Sequence, residues 1–441
     1  MGKIFLKKIE VKSLFGYFDY LIEDDDDKCM QDMLILYGDN GSGKTTLLQI
    51  VFYLLSTRDA SGHKSKLANI KFKEVHITLS NNLTISAIRE NKLIGGFCFC
   101  IRNEKQILQK ANLVASLDDQ KFAIRTSDSP ELDKTYKEML DMLRKINLNI
   151  LYISDTRKGY DAGVDLPAIT NIKNGMSMEK YFFLNEDMRN FEEIDIVIKN
   201  LEKWIQTQAL SASNTGELKT SEIYVEIIKK LVDSNHTHLA NFSISTLKKN
   251  IILLNEKTNE FVKLGLISDP NYKVIEQVLN EDISYNSQIV YNVLFSYIRA
   301  QKAKLKELES LKRTLSMFVD NLNNYFNNKT ISYTVKTGFI INQKITEDKI
   351  EFRDLSSGEK QLVLLFCNII LASAKASIFI IDEPEISLNI KWQRSLLDTL
   401  LNLVSKNHVQ FIIATHSIEL LTKHNENVKK LINIKKQHEL Y

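Results

Sequence analysis

Cysteine is scarce in this sequence, and its scarcity excludes two kinds of protein. The 441 residues include only four cysteines, Cys29, Cys98, Cys100 and Cys367. So few and so scattered, they cannot supply a disulfide framework or a four-ligand zinc site. Cys98 and Cys100 lie two positions apart in a strand-like stretch, so both side chains point to one face and packing is their expected role. We therefore expect a protein of a reducing compartment, the cytoplasm.

Long apolar runs and a strong excess of one charge are also missing. The most apolar run, LVLLFCNIILASA from Leu362 to Ala374, is too short for a helix that crosses about 30 Å of hydrocarbon, so we expect a buried core helix. The formal net charge is only +3, which by itself does not indicate nucleic acid or a membrane as partner. The N-terminal MGKIFLKKIEV alternates apolar and polar residues, as a strand does and a signal peptide does not, so we expect no cleavage.

The pattern of apolar and polar residues divides the chain into three parts. Residues 1–184 contain strand-like stretches such as KIFLKKIEVKSL, MLILYG and NILYISD. Residues 185–328 contain few glycines and one proline, and their apolar residues recur at helical spacing. Residues 329–441 return to strand patterning in ISYTV and GFIINQ. We predict an α/β protein in which a helical segment interrupts a β-rich domain.

The stretch GDNGSGKT, Gly38 to Thr45, fits the complete G-x-x-x-x-G-K-[ST] pattern between an apolar strand and an amphipathic helix. Glycines let the backbone wrap a phosphate, the helix N-terminus faces its charge, Lys44 adds a cation, and Thr45 offers a hydroxyl to Mg²⁺. The alternative is a ligand-free Gly/Ser-rich turn. The predicted ATP-binding residues here are Asn40, Gly41, Gly43, Lys44, Thr45 and Thr46.

Two later strands end in polar residues. SIFIIDEPEISL is an apolar strand that ends in Asp382 and Glu383, whose side chains point to opposite faces and therefore cannot share one role. Asp382 is the candidate Mg²⁺ ligand, and Glu383 the candidate group that polarises an attacking water. VQFIIATHS ends in His416, which could reach a γ-phosphate. The alternatives are solvated acids at a strand end and a structural histidine.

LSSGEKQ, Leu355 to Gln361, opens the long apolar helix and would suit an ordinary helix start. The P-loop, this stretch, Ile380–Glu385 and His416 follow one another in that order, with a helical insertion after the first. This order resembles the ABC-type ATPase heads of the SMC, RecF and OLD families. The resemblance implies an ABC-ATPase head, a parallel P-loop core plus an antiparallel β subdomain, with a compact α-helical insertion. It also implies ATP and Mg²⁺ as cofactors.

The same resemblance implies an ATP-bridged dimer. Ser357 and Gly358 of one protomer would contact the γ-phosphate held by Lys44 of a second, so two ATP molecules would close a homodimer or a higher multimer. Ser387 matches the loop that crosses this interface. The family's glutamine loop has no clear counterpart, because LYISDTR carries Asp155 where a glutamine is expected.

Among these families, the sequence is most similar to stand-alone ATPases of bacterial anti-phage systems. The insertion 185–328 is divided into several helices and cannot form long SMC arms. The residues after His416 are too few for the TOPRIM domain of OLD nucleases. VKSLFGYFDYLI, ILYGDNGSGKTTLLQ and GHKSKL resemble the ATPase subunit of PARIS systems, with the Septu ATPase as the alternative. The resemblance implies a bacterial cytoplasmic ATPase that senses a phage trigger, often a DNA-mimicking protein, and controls a separate TOPRIM-like nuclease effector.

A basic helix face keeps a second function open. RAQKAKLKELESLKR places Arg299, Lys302, Lys306 and Arg313 near one face, which would attract DNA or a protein that imitates it. The alternative is an ordinary solvated face. The sequence therefore leaves two functions, a sensor ATPase that controls a nuclease and a RecF-like DNA-repair ATPase that acts on DNA directly. Neither requires a membrane.

Overall fold

The computed structural model describes residues 4–23, 32–58, 61–125, 129–155, 159–161, 193–232, 244–280, 287–373, 376–404 and 409–434. Cys29 and the predicted domain boundary between residues 184 and 185 lie outside these ranges. Within them, no helix combines the length and the apolar character that crossing a membrane requires.

The strands are β1 (Leu6–Leu14), β2 (Phe18–Glu23), β3 (Met33–Tyr37), β4 (Glu74–Leu79), β5 (Thr84–Ile88), β6 (Phe97–Arg102), β7 (Ile107–Leu113), β8 (Ala115–Asp118), β9 (Lys121–Ile124), β10 (Ile150–Ile153), β11 (Gly159–Asp161), β12 (Lys329–Thr334), β13 (Gly338–Gln343), β14 (Lys349–Ile350), β15 (Ile378–Asp382), β16 (Gln410–Thr415) and β17 (Val428–Lys430). The helices are α1 (Lys44–Leu55), α2 (His63–Ala68), α3 (Pro130–Ile146), α4 (Glu193–Val232), α5 (Ile244–Lys263), α6 (Tyr272–Asn280), α7 (Ser287–Tyr325), α8 (Ser357–Ser373), α9 (Ile390–Val404) and α10 (Ile418–Leu421).

The chain forms two compact units. The first unit comprises Met1–Phe191 and Ser356–Tyr441, and the second comprises Glu192–Leu355. This division groups strands β12 to β14 with the helices, whereas the sequence assigned residues 329–441 to the β-rich domain. The three-part division remains a prediction.

The first unit contains an antiparallel sheet with the strand order β2-β1-β4-β5-β6-β7. Its strands are half-buried, and β4 shows why they form. Val75, Ile77 and Leu79 of β4 are buried, while the residues between them are partly exposed. This two-residue alternation matches the pleat, so one face of the strand packs on the core.

A second sheet of the first unit has the order β11-β10-β15-β16-β3-β17, and the neighbouring pairs from β10 to β17 are parallel. Strands β15 and β16 are buried along their whole length, which explains their continuous apolar sequences. Gln410 connects the two sheets, because its amide accepts from Leu6 N at 2.8 Å and donates to Leu6 O at 2.9 Å. The carboxyl ends of β3, β16, β15 and β10 therefore meet along one edge, where ligands bind in open α/β sheets.

The second unit is built on two long helices, α4 and α7, which pack along each other. A small core joins α5, α6 and α7, and its buried residues recur at helical spacing. They are Leu247, Ile251, Leu254, Phe261, Tyr272, Ile298, Leu305 and Leu308. A three-stranded antiparallel sheet, β12-β13-β14, completes the unit. Glu202 of α4 accepts a hydrogen bond from the N–H of Phe339 in β13 at 2.8 Å, which fixes the helix to this sheet.

The predicted α/β class, with a parallel sheet beside antiparallel ones, is confirmed. The run from Leu362 to Ser373 is a buried helix, as expected. Strands β7, β8 and β9 were not predicted. They are largely exposed and mixed in character, so they lack a clear two-residue alternation.

Candidate functional site

The P-loop joins β3 to α1. Gly41 and Gly43 have φ angles of +82° and +83°. These left-handed conformations favour glycine, because glycine has no Cβ. Lys44 is only 5% exposed, and its Nζ donates to Gly38 O at 2.7 Å and to Asp39 O at 3.2 Å. The loop therefore curls around the lysine ammonium group. Asn40 and Thr45 are exposed and Thr46 is partly exposed, so each can be reached by a ligand from solvent.

Residues of β1, β2 and the turn between them support this loop, a contribution that sequence reasoning missed. A Cβ on Gly43 would lie 3.0 Å from a methyl group of Leu14 and 3.1 Å from the ring of Phe15. The hydroxyl of Tyr20 donates to Ser42 O at 2.7 Å. The aromatic stretch SLFGYFDY in the sequence was the available signal, but nothing in it indicated which turn it would contact.

Asp382 ends β15 and is 1% exposed. Burial raises the pKa of its carboxyl, while a hydrogen bond with the Thr45 side chain lowers it. Tyr152 of β10 donates its hydroxyl to Asp382 Oδ2 at 3.3 Å. The structure thus brings Thr45 and Asp382, the two predicted Mg²⁺ ligands, into direct contact.

Glu383 leaves the strand with a φ of +48°, an uncommon conformation for a residue with a Cβ. This turn gives its carboxylate a different direction from that of Asp382. One oxygen, Oε1, lies 3.8 Å from Lys44 Nζ, and the other contacts Nδ1 of His416. Burial and the neighbouring Glu385 raise the pKa of Glu383. Backbone strain at this position is typical of functional turns.

His416 follows β16, which lies between β15 and β3. Its side chain is 49% exposed and contacts Glu383 from the adjacent strand end. Glu385, which sequence reasoning left without a role, accepts hydrogen bonds from the main chain of the same segment. Glu383, Glu385 and His416 also have ligand-type atoms within 4.8 Å of one another. Glu383 Oε2 contacts His416 Nδ1, and Glu385 Oε1 accepts hydrogen bonds from segment 415–417, whereas the buried Glu385 Oε2 makes no hydrogen bond within the described part of the chain.

The start of α8 forms a capping box. Ser356 N donates to Glu359 Oε2 at 2.8 Å, and Glu359 N donates to Ser356 Oγ at 3.4 Å. Ser356 is therefore the cap residue, and the exposed Ser357 is the first residue of the helix. Gly358 is buried against the segment after β15, since a Cβ there would lie 2.5 Å from Ser387 O. Gly358 thus packs on its own chain, at a point where a side chain does not fit.

Asp155 follows β10 at the same sheet edge. It is exposed, and its charge raises the pKa of the neighbouring Asp382. The residue that departs from the family pattern therefore lies beside the predicted Mg²⁺ ligand.

The side chains present fit a nucleotide with Mg²⁺. Among the described residues, the buried Ser42 Oγ in the P-loop has no hydrogen-bond partner, which suits it to an acceptor that binds in the loop. The Lys44 ammonium is held by neutral carbonyls that phosphate oxygens can outcompete. The Thr45 hydroxyl and the Asp382 carboxylate are hard oxygen ligands of the kind that Mg²⁺ prefers.

One protein-family model matches the chain over a range that includes part of the candidate site. Residues 179–422, more than half of the chain, match the family described as "AAA domain, putative AbiEii toxin, Type IV TA system". The chain belongs to this family. It therefore carries an ATPase domain of AAA type, and the matched range includes LSSGEKQ, Asp382, Glu383 and His416 but not the P-loop.

Comparison with solved structures finds distant likeness to SMC heads. An SMC head of Pyrococcus furiosus with an extended coiled coil, bound to the C-terminal domain of ScpA, is 14% identical with a TM-score of 0.39 over 99% of this chain and 98% of that one. An SMC head of Pyrococcus yayanosii with a coiled coil and joint is 14% identical, with a TM-score of 0.38 over 97% and 95%. A third SMC head, bound to the C-winged helix domain of ScpA, is 12% identical, with a TM-score of 0.37 over 99% of each chain. No curated protein sequence matches the chain significantly.

Proposed function

We propose that the chain binds ATP with Mg²⁺ at this site and hydrolyses it. The observation that carries the proposal is the meeting of Lys44, Asp382, Glu383 and His416 at the ends of three adjacent parallel strands. Asp382, Glu383 and His416 lie 338, 339 and 372 positions beyond Lys44 in the chain. A Gly/Ser-rich turn without a ligand would not require an acid and a histidine around its lysine.

Each residue has a role that follows from its contacts. The P-loop N–H groups and Lys44 would hold the β- and γ-phosphates, and Thr45 and Asp382 would hold Mg²⁺, which neutralises phosphate charge when bound. Glu383 would orient the attacking water and accept its proton, and its raised pKa makes it a better proton acceptor than an ordinary carboxylate. His416 contacts Glu383 and would fix the direction of that carboxylate.

The active form is proposed to be a dimer of heads that shares two ATP molecules. Ser357 supports this proposal because it stands exposed at the N-terminus of α8 while Ser356 makes the cap. An exposed hydroxyl at a helix N-terminus suits a phosphate presented by another protomer. The test is the ATP-dependent change in mass of the purified chain, measured by light scattering.

The biological role is proposed to be the sensor ATPase of an anti-phage defence system of the PARIS type, with the Septu type as the alternative. The motif resemblance supports this role, and the description of the matched family names a toxin of a Type IV TA system. The chain would control a separately encoded TOPRIM-like nuclease effector when a phage trigger, such as a DNA-mimicking protein, is detected. Pull-down from the native host, with and without infection, tests this: a nuclease-like partner whose recovery depends on nucleotide or infection is expected.

One observation favours a second function, a RecF-like ATPase that binds DNA directly. Arg299, Lys302, Lys306 and Arg313 are all exposed on α7 and recur at spacings that keep them on one face. Lys302 is directed to Asn250 of α5 at 3.0 Å. Recovery of DNA alone in every nucleotide state would support this function over the first.

Charge reversal on this face tests whether the face binds an acidic ligand. Lys302→Glu, Lys306→Glu and Arg313→Glu together should impair either the trigger response or DNA binding and leave ATP hydrolysis nearly intact. Reversal of Lys263, Lys336 and Lys349, which are exposed elsewhere in the second unit, is the matched control. Equal effects of both triple variants would show that overall charge, and not this face, is responsible.

A further inference from the structure

Glu385 is a buried carboxylate with an unusual set of partners. It is 4% exposed, although it lies only three residues beyond the end of β15. Its Oε1 accepts hydrogen bonds from the Thr415 hydroxyl, from His416 N at 3.0 Å and from Ser417 N at 3.1 Å. Three donors from three consecutive residues thus converge on one oxygen.

Burial of a carboxylate is costly unless hydrogen bonds compensate it. Here every one of the three bonds goes to the segment 415–417, which follows β16 and carries His416. The same segment is held from its other side, where Ser417 Oγ donates to Gln393 Oε1 at 2.7 Å. The segment therefore has a fixed backbone, although its histidine side chain is half exposed.

The bonds determine the position of the His416 ring. With its own N–H bound to Glu385, His416 directs Nδ1 to the Glu383 carboxylate, and Nδ1 also lies 3.4 Å from Glu385 Oε1. Because main-chain N–H groups carry no sequence signature, this connection is invisible in the stretch DEPE. Glu385 lies beside Glu383, and its hydrogen bonds go to His416 and the neighbours of His416.

We propose that Glu385 is a positioning residue, which clamps segment 415–417 so that His416 meets Glu383 in the geometry that ATP hydrolysis needs. The inference rests on the proposed ATPase function and deepens it. Glu385 itself contacts neither the P-loop lysine nor, in this proposal, the nucleotide. Its loss should therefore slow turnover without weakening ATP binding.

Two substitutions distinguish the role of Glu385 as a hydrogen-bond acceptor from the role of its side-chain volume. Glu385→Ala removes all three acceptor contacts, whereas Glu385→Gln retains an Oε1 that can accept from the same donors. For Glu385→Ala we expect kcat to fall about 10- to 100-fold, because small misplacements of catalytic groups cost this much, with KM for ATP nearly unchanged. For Glu385→Gln we expect kcat within about threefold of the native value, since the retained acceptor keeps the geometry.

Two further variants test whether a change in kcat arises from the contacts of Glu385 and not from misfolding. Thr415→Val preserves the side-chain shape but removes one donor to Glu385 and the acceptor of Ser417 N, so it should lower kcat in the same direction as Glu385→Ala. Thr422→Ala removes an exposed hydroxyl outside segment 415–417, which donates to Glu419 O at 3.0 Å, so it should leave kcat unchanged. Thermal unfolding of each variant shows whether it is folded at the assay temperature.

The proposal is overturned if folded Glu385→Ala keeps the native kcat, or if Glu385→Gln is as slow as Glu385→Ala. A native protein that releases no phosphate above the Lys44→Ala background would instead refute the ATPase function. The positioning role then has its own readout, the ¹⁵N–¹H signals of the His416 ring in histidine-labelled protein. They should move in Glu385→Ala and stay in place in Glu385→Gln; identical signals in native protein and Glu385→Ala would refute the clamp.

Discussion

Replacing Glu383 with glutamine should abolish turnover and preserve ATP binding. Glutamine has the shape of glutamate but cannot accept the proton of an attacking water. Loss of a general base typically costs about 10²- to 10⁴-fold in rate, which corresponds to about 3 to 5.5 kcal/mol in activation free energy. We expect kcat to fall within this range.

The same substitution changes the charge around Lys44. Glu383 Oε1 lies 3.8 Å from Lys44 Nζ, and at an effective dielectric constant of about 20 this attraction amounts to about 4 kcal/mol at most. Nucleotide phosphates would compete with Glu383 for the ammonium group. Removal of the negative charge ends this competition, so ATP affinity in Glu383→Gln should be equal to or higher than in the native chain.

Phosphate release at saturating Mg²⁺–ATP measures the rate, and titration with a fluorescent ATP analogue measures the affinity. Glu419→Gln is a suitable control, because Glu419 pairs with Arg394 in α9. Native hydrolysis by Glu383→Gln would refute the role given to this carboxylate. Loss of ATP binding in a folded Glu383→Gln would refute the competition inferred from the 3.8 Å separation.

Three further predictions follow from other parts of the first unit. Ser357→Arg should abolish ATP-dependent dimerisation and hydrolysis but not ATP binding; unchanged light scattering and phosphate release would exclude the dimer contact. Gly43→Ala should weaken ATP binding and should destabilise the protein more than Gly41→Ala does in thermal unfolding. Both glycines have a positive φ, which costs alanine about 1 to 2 kcal/mol, but only Gly43 faces Phe15. Burial lowers the pKa of His63 from 6.5 to about 3. Between these two pH values the unfolded chain binds a proton that the folded chain does not. The free energy of unfolding should therefore decrease as the pH is lowered from about 6.5 to 3, by up to about 1.4 kcal/mol per pH unit. His63→Gln should flatten this decline in denaturant titrations; an unchanged slope would contradict it.

Much of the candidate site could be predicted because its groups lie in contiguous motifs. The P-loop pattern identifies Lys44 and Thr45 without any long-range information, since strand, glycines and helix follow one another directly. The two-residue period of a strand also predicts that Asp382 and Glu383 differ in role, and the structure separates them by burial and by the turn at Glu383. These inferences use only local geometry.

The missed features depend on contacts between distant positions. Glu385 acquires its surroundings from Thr415, His416 and Ser417, about 30 residues further along, and two of the three donors are main-chain groups. Lys64 is another example, because its ammonium caps the carboxyl end of α1 by donating to Leu54 O at 2.7 Å and Ser56 O at 2.9 Å. A lysine in GHKSKL carries no sequence signal for such a buried role.

Phosphate release from Mg²⁺–ATP by the purified full chain tests most directly whether Lys44, Asp382 and Glu383 form a hydrolytic site. The native protein should show saturable turnover that requires Mg²⁺, and Lys44→Ala should lower it to background. Lys105→Ala, which removes an exposed cation elsewhere in the first unit, should leave it unchanged. Absence of turnover in the native protein, or equal turnover in Lys44→Ala, would contradict the assignment.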